Sequence, residues 1–522
     1  MKTIYKNGAV YTGKLPLVEA FAVEDGKFVF AGSSAEADAL AAAGDKVVDL
    51  GGKFVCSGFN DSHMHLLNYG SSLLKAQLAA HTESLEDMLA CLDTFQKEHP
   101  RKDGAWLMGR GWNQDYFTDV DRMPNRYDLD RVSTEVPICA TRACGHCLVV
   151  NSKALELLGV TADTPQPEGG EIGMENGEPD GRFFDNAMEP VYDSIPVPSK
   201  EEIKDMIRSA CKALNSYGVT SSQSDDYCVY RAVPWQTVNE AYKELEDSGE
   251  LTVRVYEQSN FTDLESLKGF VEAGNVTGIG TDRFKIGPLK FLTGTMWKPG
   301  NPVFTQETMD EMIGYANAHG MQAAVHTIGD ACLDRVLSAY EKALAENPRE
   351  DHRHGIVHCQ ITRADQLEKI AKMHLHVYAQ SIFLDYDNHI VEERVGKELA
   401  STSYSWKTLM NNGVSVSNGT DCPVELPDAL ACMQCAVTRT TLRDHVGPYL
   451  PDQKFTVQEA LDSYTIRSAE ASFEENVKGQ IAEGMMADFV VLGQNPFEVD
   501  ESTIKDIPVC RTYLAGKMVY EA

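Results

Sequence analysis

Six side chains that could bind a divalent metal ion stand at or just after short, mostly apolar runs of the sequence. They are His63, His65, Lys290, His326, His358 and Asp421. Residues two apart in an extended segment point to the same face, so His63 and His65 can reach one ion. Imidazole together with carboxylate suits Zn²⁺, with Mn²⁺ or Ni²⁺ as substitutes.

Lys290 could join such a site only after a chemical change. An ammonium group has no lone pair to give a metal, but CO2 can add to the neutral amine of a lysine. The resulting carbamate would bridge two ions, so the sequence leaves open a centre with one ion or with two.

Each of these residues has an ordinary structural interpretation when it is taken alone. A His-x-His pair more often lies on the surface or in the core without binding a metal. A lone histidine such as His326 or His358 is more often a core residue with its hydrogen bonds satisfied than a metal ligand. Lys290 by default forms a salt bridge or faces solvent, and Asp421 after a glycine can be a turn residue. Their joint placement at strand ends is what favours a metal centre.

Eight strand-like runs alternate with helical patterns through the middle of the chain. The predicted strands are Lys53–Phe59, Val219–Ser224, Leu251–Glu257, Phe284–Phe291, Met321–His326, Gly355–His358, His376–Gln380 and Val414–Ser417. Helices are predicted at Glu201–Ser216, Pro234–Asp247, Gln306–His319, Asp330–Ala345 and Arg363–Met373. Eight βα units favour a closed (β/α)8 TIM barrel of the α/β class over an open doubly wound sheet. A barrel would bring the six side chains to the carboxyl-terminal rim, where such barrels have their active sites.

The two ends of the chain differ from this pattern. Residues 1–55 and 476–522 contain short strands separated by glycine turns, which predicts one small β-sandwich domain built from both termini. The barrel is then expected over residues 56–475. Residues 68–199 separate the first two strands by far more than a βα connection needs, so they indicate an inserted subdomain.

The composition limits the partners of the chain. Its formal net charge is −31, which argues against nucleic acid and anionic membranes. The 13 cysteines are an odd number, which favours free thiols in a reducing compartment. No secretory signal pattern is seen, and no apolar run approaches the ~18 residues of a membrane span. We expect a cytoplasmic protein that acts on a small molecule.

Several segments together carry a resemblance to a known family. They are Gly58-Phe59-Asn60-Asp61-Ser62-His63-Met64-His65, His326-Thr327-Ile328-Gly329-Asp330, His358-Cys359-Gln360, Gly419-Thr420-Asp421-Cys422-Pro423-Val424 and Lys478-Gly479 with Ala487-Asp488. In combination they resemble the amidohydrolase superfamily, specifically the amidohydrolase 3 group of YtcJ-like and N-substituted formamide deformylase-like enzymes. Two positions depart from the family pattern. Ser57 stands where a proline is usual, and the segment from Lys290 to Thr295 lacks the Asp-Gly pair that usually follows the lysine.

The resemblance implies a set of roles for these residues. The six side chains would hold one or two divalent ions, Zn²⁺ above all, with Lys290 carboxylated where two ions are bound. Asp421 would also be the catalytic residue. Within the insert, the resemblance extends to Gly109–Gln114 and to the segments that begin at Arg142 and Asn151. It makes Trp112, Arg142 and His146 candidate substrate contacts, although the architecture of the insert would explain them equally well.

The activity implied is hydrolysis of a carbon–nitrogen bond other than a peptide bond, such as an amide, N-formyl or cyclic amide bond. A metal-activated hydroxide would attack the carbonyl carbon, and Asp421 would act as general base and then as general acid. The products would be a carboxylic acid and an amine. A homodimer is a possible assembly, because dimers are common in this superfamily.

Other interpretations remain open at this stage. The same scaffold could serve a deaminase or an ester, lactone or phosphoester hydrolase, or could be a non-catalytic scaffold protein. A cysteine-dependent enzyme could use Cys359 or Cys422. The two C-x-x-C pairs, which begin at Cys144 and Cys432, could form a zinc or redox site, but their separation in the chain is far wider than such sites usually show.

Overall fold

A sheet of eight parallel strands forms the centre of the computed structural model, which describes residues 1–99, 104–144, 146–230, 232–292 and 304–522. Each strand pairs with its neighbours in chain order. The strands are Phe59–Met64, Val219–Ser224, Arg254–Asn260, Phe284–Leu292, Ala323–Thr327, Gly355–His358, His376–Ala379 and Val416–Asn418. We refer to them as barrel strands one to eight.

Helices follow most of the barrel strands, as a parallel sheet requires. Those associated with the barrel strands are Lys200–Ser216, Trp235–Asp247, Leu264–Glu272, Gln306–Ala318, Asp330–Glu346, Ala364–Lys372, Trp406–Asn411 and Ala429–Thr438, and Val457–Ser463 and Ile466–Ala471 come after them. Shorter helices at Leu384–Asp387, Val391–Val395 and Lys397–Ala400 follow strand seven. Helix Asp330–Glu346 is typical, because it buries Leu333, Val336, Leu337 and Tyr340 at helical spacing.

The first and last barrel strands approach each other at their carboxyl ends. The backbone N–H of Asp421 donates to the carbonyl oxygen of His63 (2.9 Å), and that of His65 donates to the carbonyl oxygen of Cys422 (2.8 Å). The sheet is therefore a nearly closed barrel. The predicted α/β barrel with eight parallel strands is confirmed to this extent.

The prediction for strand one was wrong. Lys53–Phe59 is not a barrel strand, because Phe54–Ser57 pairs with Phe489–Leu492 in a separate small sheet. The barrel strand begins at Phe59 and carries Asn60, Asp61 and Ser62, all buried. An apolar run predicts a buried strand. Because polar side chains line the interior of this barrel, the apolar run coincides instead with the preceding strand, Phe54–Ser57.

Both ends of the chain contribute strands to two small sheets. One contains Thr3–Lys6, Ala20–Glu24, Lys27–Gly32 and Lys46–Asp49, and the other contains Ala9–Val10, Phe54–Ser57, Phe489–Leu492, Val509–Leu514 and Lys517–Glu521, with a helix at Ser34–Leu40. Residues from both sheets share one hydrophobic core, in which the rings of Tyr5 and Phe21 stack at 4.7 Å and those of Phe489 and Tyr513 at 4.2 Å.

The chain divides into two compact units, residues 1–68 with 210–522, and residues 69–209. Helix Leu66–Leu73 crosses this boundary. The second unit contains a six-stranded sheet. Its strands are Ala76–Gln77, Leu107–Trp112, Ile138–Arg142, Cys147–Val150, Gly170–Glu175 and Glu178–Asp185, and its helices are Leu85–Glu98, Arg126–Asp130, Ser152–Leu158 and Glu189–Ser194. Within the described parts of the chain, no helix has both the length and the hydrophobicity that a membrane span requires.

A buried ion pair joins the barrel to the carboxyl-terminal strands. Arg254 at the start of strand three donates from Nε to Oδ2 of Asp488 (2.6 Å) and from Nη2 to Oδ1 (3.0 Å). Both side chains are almost fully buried. The backbone N–H of Ala515 also donates to Asp488, at 2.7 Å. Removing one partner of such a pair leaves the other charge buried without compensation.

We therefore expect Arg254→Met to lower the free energy of unfolding by roughly 3–5 kcal/mol, measured by urea denaturation. The double variant Arg254→Met/Asp488→Asn should recover part of that loss, because it removes the stranded charge. Arg511→Met is a matched control in the same small sheet, because the Arg511–Glu521 pair is exposed and should contribute less than about 1 kcal/mol. Equal losses for Arg254→Met and Arg511→Met would contradict this account.

Candidate metal centre

The end of strand one and the loop after strand eight place three possible metal ligands together. Nε2 of His63 lies 3.3 Å from Oδ1 of Asp421, and Nε2 of His65 lies 3.1 Å from the same oxygen. His63 is fully buried, and the side chains of His65 and Asp421 are mostly buried. The predicted convergence of these three residues is therefore present in the structure.

The other nitrogen of each ring holds that ring in place. Nδ1 of His63 lies 2.7 Å from Oε1 of Gln258, and Nδ1 of His65 lies 3.1 Å from the carbonyl oxygen of Asp225. Gln258 is itself oriented, because its Nε2 donates to the carbonyl oxygen of Ser62 (3.1 Å). Both partners are acceptors, so each Nδ1 carries a proton, and each Nε2, which faces Asp421, is the nitrogen that could bind an ion.

The spacing of the three donor atoms fits a divalent cation. Two ligands that each lie 2.0–2.3 Å from a tetrahedral zinc ion are separated by about 3.3–3.7 Å. The separations of 3.3 and 3.1 Å from Oδ1 of Asp421 are close to that range. Two imidazoles and one carboxylate are also the donor types that zinc prefers.

His326 and His358 form a neighbouring pair. Nε2 of His358 lies 2.8 Å from Nδ1 of His326, and Nδ1 of His358 lies 2.8 Å from Oε1 of Gln380. The rings of His63 and His358 are 5.7 Å apart, which connects this pair to the first three residues. Gln380 therefore orients His358 as Gln258 orients His63.

Lys290 lies between these groups and is fully buried. Its Nζ is 3.3 Å from Nε2 of His63 and 3.5 Å from Oδ2 of Asp225. The structure thus brings all six predicted residues to one rim of the barrel. The absence of Asp-Gly after Lys290 concerns Thr293–Thr295, which lie outside the described residues.

Burial keeps most of these imidazoles neutral, which is the form that binds metal. Burial and the nearby Lys290 lower the pKa of His63 to about 4 and that of His326 to about 3. Burial also holds the pKa of His358 well below its ordinary value. Although burial opposes its ionisation, hydrogen bonds with His63 and His65 hold the pKa of Asp421 well below its usual range, so it is a carboxylate.

Three residues at or next to the site have positive φ angles, which residues other than glycine rarely adopt. The φ angles of His358, Cys359 and Asp421 are +76°, +47° and +57°. Such conformations cost of order 1–3 kcal/mol each and persist only where the surrounding structure imposes them. They turn the chain sharply at the ends of strands six and eight, where the ligands stand.

The residues that orient the candidate ligands were not predicted from the sequence. Gln258, Gln380 and Asp225 stand on or directly after strands three, seven and two. Only Asp225 gave a signal, because it is an acidic residue immediately after a predicted strand, the position that singled out the other ligands. A glutamine within a strand has no pattern of its own.

The three candidate substrate contacts lie in the second unit. Trp112 is fully buried in the hydrophobic core of that unit and donates from its indole to the carbonyl oxygen of Ala140 (2.9 Å), which is a packing role. Arg142 is held by Gln114 and Asp115, each at 2.8 Å. His146 is exposed and lies 3.0 Å from Asp185. Substrate contact by Arg142 and His146 stays a prediction.

The cysteine alternatives find little support in this geometry. Burial raises the pKa of Cys359 to about 12 and that of Cys422 still higher, so neither is an activated nucleophile. Among the described residues, neither C-x-x-C pair belongs to a cluster of possible metal ligands. Cys432 and Cys435 are buried in helix Ala429–Thr438.

Comparison with known proteins places the chain in a family. YtcJ of Bacillus subtilis (strain 168), which carries an amidohydrolase name, is 32% identical, and the alignment covers 100% of both chains. The N-substituted formamide deformylase of Arthrobacter pascens is 25% identical over 96% of this chain and 95% of its own.

A crystal structure of an uncharacterized metal-dependent hydrolase from Pyrococcus horikoshii OT3 has a TM-score of 0.78 at 26% identity, covering 96% of this chain and 99% of the other. The sequence model named for the amidohydrolase family matches residues 46–520. Since the match covers most of the chain, including the whole barrel, this chain belongs to the amidohydrolase family.

Proposed function

We propose that this chain is a metal-dependent hydrolase that cleaves a carbon–nitrogen bond in a small molecule, such as an amide, N-formyl or cyclic amide. The observation that carries the proposal is the convergence of Nε2 of His63 and Nε2 of His65 on one oxygen of Asp421. Amidohydrolase family membership supports hydrolysis, and the similarity to N-substituted formamide deformylase supports the choice of bond.

His63, His65 and Asp421 would hold the first divalent ion, most suitably Zn²⁺. His326 and His358 would hold a second ion, and Lys290, once carboxylated, would supply a further oxygen ligand. When bound, a divalent ion acidifies a water molecule and polarises the carbonyl of the substrate.

Asp421 is the proposed proton carrier. Its carboxylate would accept a proton from the attacking water and return it to the leaving nitrogen, so the amine departs neutral. Gln258 and the carbonyl oxygen of Asp225 keep the two imidazoles fixed while this happens. Burial of the site reduces competition from bulk water and strengthens each electrostatic interaction. Arg142 and His146 are the proposed substrate contacts.

The direct test is a substrate screen of the metal-loaded, full-length protein. N-substituted formamides, N-acyl amines and cyclic amides would be incubated with the protein, and the released amine and carboxylate would be measured together by mass spectrometry. Equal amounts of amine and carboxylic acid are expected from an acyclic amide, whereas a cyclic amide should open to a single amino acid. Cleavage of esters, lactones or phosphoesters but of no amide would overturn the choice of bond and leave the metal centre standing.

Asp421→Asn should lower kcat by about 10²–10⁴-fold, the usual contribution of a general base. Asparagine keeps the shape of the side chain and tolerates the left-handed backbone at this position, so folding should be preserved. The zinc content, measured by inductively coupled plasma mass spectrometry, should stay above half of the wild-type value, because both imidazoles remain. Near-wild-type turnover would remove Asp421 from the mechanism.

Glu425→Gln is the matched control for that variant. Glu425 is a half-buried carboxyl group whose pKa is raised to about 7 by burial and by the charges of Asp385, Asp387 and Asp421, yet it belongs to neither group of ligands. The substitution also replaces a carboxylate by its amide in the same loop. We expect kcat to change by less than about tenfold, since no proton-transfer group is lost.

Removal of metal should abolish hydrolysis reversibly. Dialysis against dipicolinate should lower both the metal content and the activity, and added Zn²⁺ or Mn²⁺ should restore them in parallel, because imidazole and carboxylate side chains suit both ions. Cys359→Ala should remain active under the same assay. Protein that is purified without metal and gains no activity from any ion would instead be a non-catalytic scaffold.

A further inference from the structure

A second group of potential metal ligands lies beside the centre and shares one histidine with it. It consists of Asp225 and Cys228, which follow strand two, together with His65. One ligand atom from each of the three lies within 4.8 Å of the others. Among the described residues, only this group and His63–His65–Asp421 bring three such side chains so close together. Cys228 is at least partly exposed, so an ion could reach it from solvent.

Neighbouring residues fix the carboxylate of Asp225 in the orientation that this site needs. Its Oδ2 accepts a hydrogen bond from Nδ2 of Asn260 (3.3 Å) and lies 3.5 Å from Nζ of Lys290. Its Oδ1 is left facing Sγ of Cys228 at 3.4 Å. Asp225 is fully buried, so this arrangement is not an accident of a mobile surface side chain.

The donor atoms suit a borderline or soft cation. Thiolate, imidazole and carboxylate together are zinc ligands, and sulfur favours ions such as Zn²⁺ or Cd²⁺ over Mg²⁺ or Ca²⁺. The distance of 3.4 Å between sulfur and oxygen lies within the range of about 3.3–3.7 Å that separates two ligands of a tetrahedral ion.

We propose that Cys228, Asp225 and His65 form an auxiliary site for a thiophilic divalent cation, separate from the ion proposed for hydrolysis. The sulfur binds the ion as a thiolate, and the thiol proton leaves to solvent. Because His65 belongs to both groups, an ion in the auxiliary site draws His65 away from Asp421, and excess zinc therefore inhibits hydrolysis. The inhibition rests on the proposed function, whereas the binding of the cation does not.

Titration of the zinc-loaded, full-length protein with Cd²⁺ tests the binding. The ultraviolet thiolate-to-cadmium charge-transfer band should appear in the wild type and saturate. Cys228→Ser should lose the band or require more than about tenfold more Cd²⁺, since loss of an outer-shell partner alone costs 10–100-fold in affinity. Cys144→Ser is the matched control, because Cys144 is the other exposed cysteine of the chain, and its band should be unchanged.

A second measurement needs no variant. Cd²⁺ should slow the alkylation of Cys228 by iodoacetamide, read by peptide mass spectrometry, and should leave the alkylation of Cys144 unaffected. In the hydrolysis assay, Cys228→Ser should tolerate at least about tenfold more Zn²⁺ than the wild type before it is inhibited.

Two results would overturn the auxiliary site: an undiminished cadmium band in Cys228→Ser, or alkylation of Cys228 that Cd²⁺ does not slow. Cadmium binding at Cys228 without any inhibition of hydrolysis would overturn the claim that His65 serves both ion sites. If no substrate were found, the cadmium band and the alkylation rates would still show whether the cation binds. Failure of the proposed function could therefore be told apart from failure of the auxiliary site.

Discussion

The buried carboxylate of Asp61 is the contact on which the geometry of the metal centre depends. It accepts hydrogen bonds from the backbone N–H of His63 (3.2 Å) and from both the backbone N–H (3.1 Å) and the hydroxyl of Thr420. One carboxylate thus binds the end of strand one to the end of strand eight. Burial raises the pKa of Asp61 to about 7, and these hydrogen bonds oppose that rise by stabilising its charge. This contact fixes the distance between His63 and Asp421, because each of them lies within two residues of Asp61 or Thr420.

Close approach of the two strands also requires Gly419. A Cβ atom at this position would lie 2.5 Å from the backbone nitrogen of His63, nearer than any side chain tolerates. The glycine therefore lets the loop after strand eight pass directly over strand one, and Asp421 then turns back with a positive φ towards both imidazoles. Backbone packing at the closure of the barrel, rather than contacts among the ligands, sets their separation.

The sequence predicted the architecture, and which side chains converge on the rim of the barrel, better than it predicted how those side chains are held. Strands two and six were predicted to the residue, because their runs are short and bounded. Strand one failed because its polar residues face the barrel interior, where apolar periodicity has no meaning. Asp225 and Gln258 could not be assigned roles, since a side chain that orients a histidine is defined by its distance from that histidine and not by spacing along the chain.

Asp225 shows how a single residue can link several parts of the site. Its carbonyl oxygen lies 3.1 Å from Nδ1 of His65, its Oδ2 lies beside Lys290, and its Oδ1 faces Cys228. The backbone contact sets the ring orientation of a proposed ligand, while the carboxylate lies against both Lys290 and Cys228. Coupling between the two proposed groups of ligands would follow from His65, which belongs to both, and from Asp225, which contacts residues of both, and it would require no movement of the barrel strands.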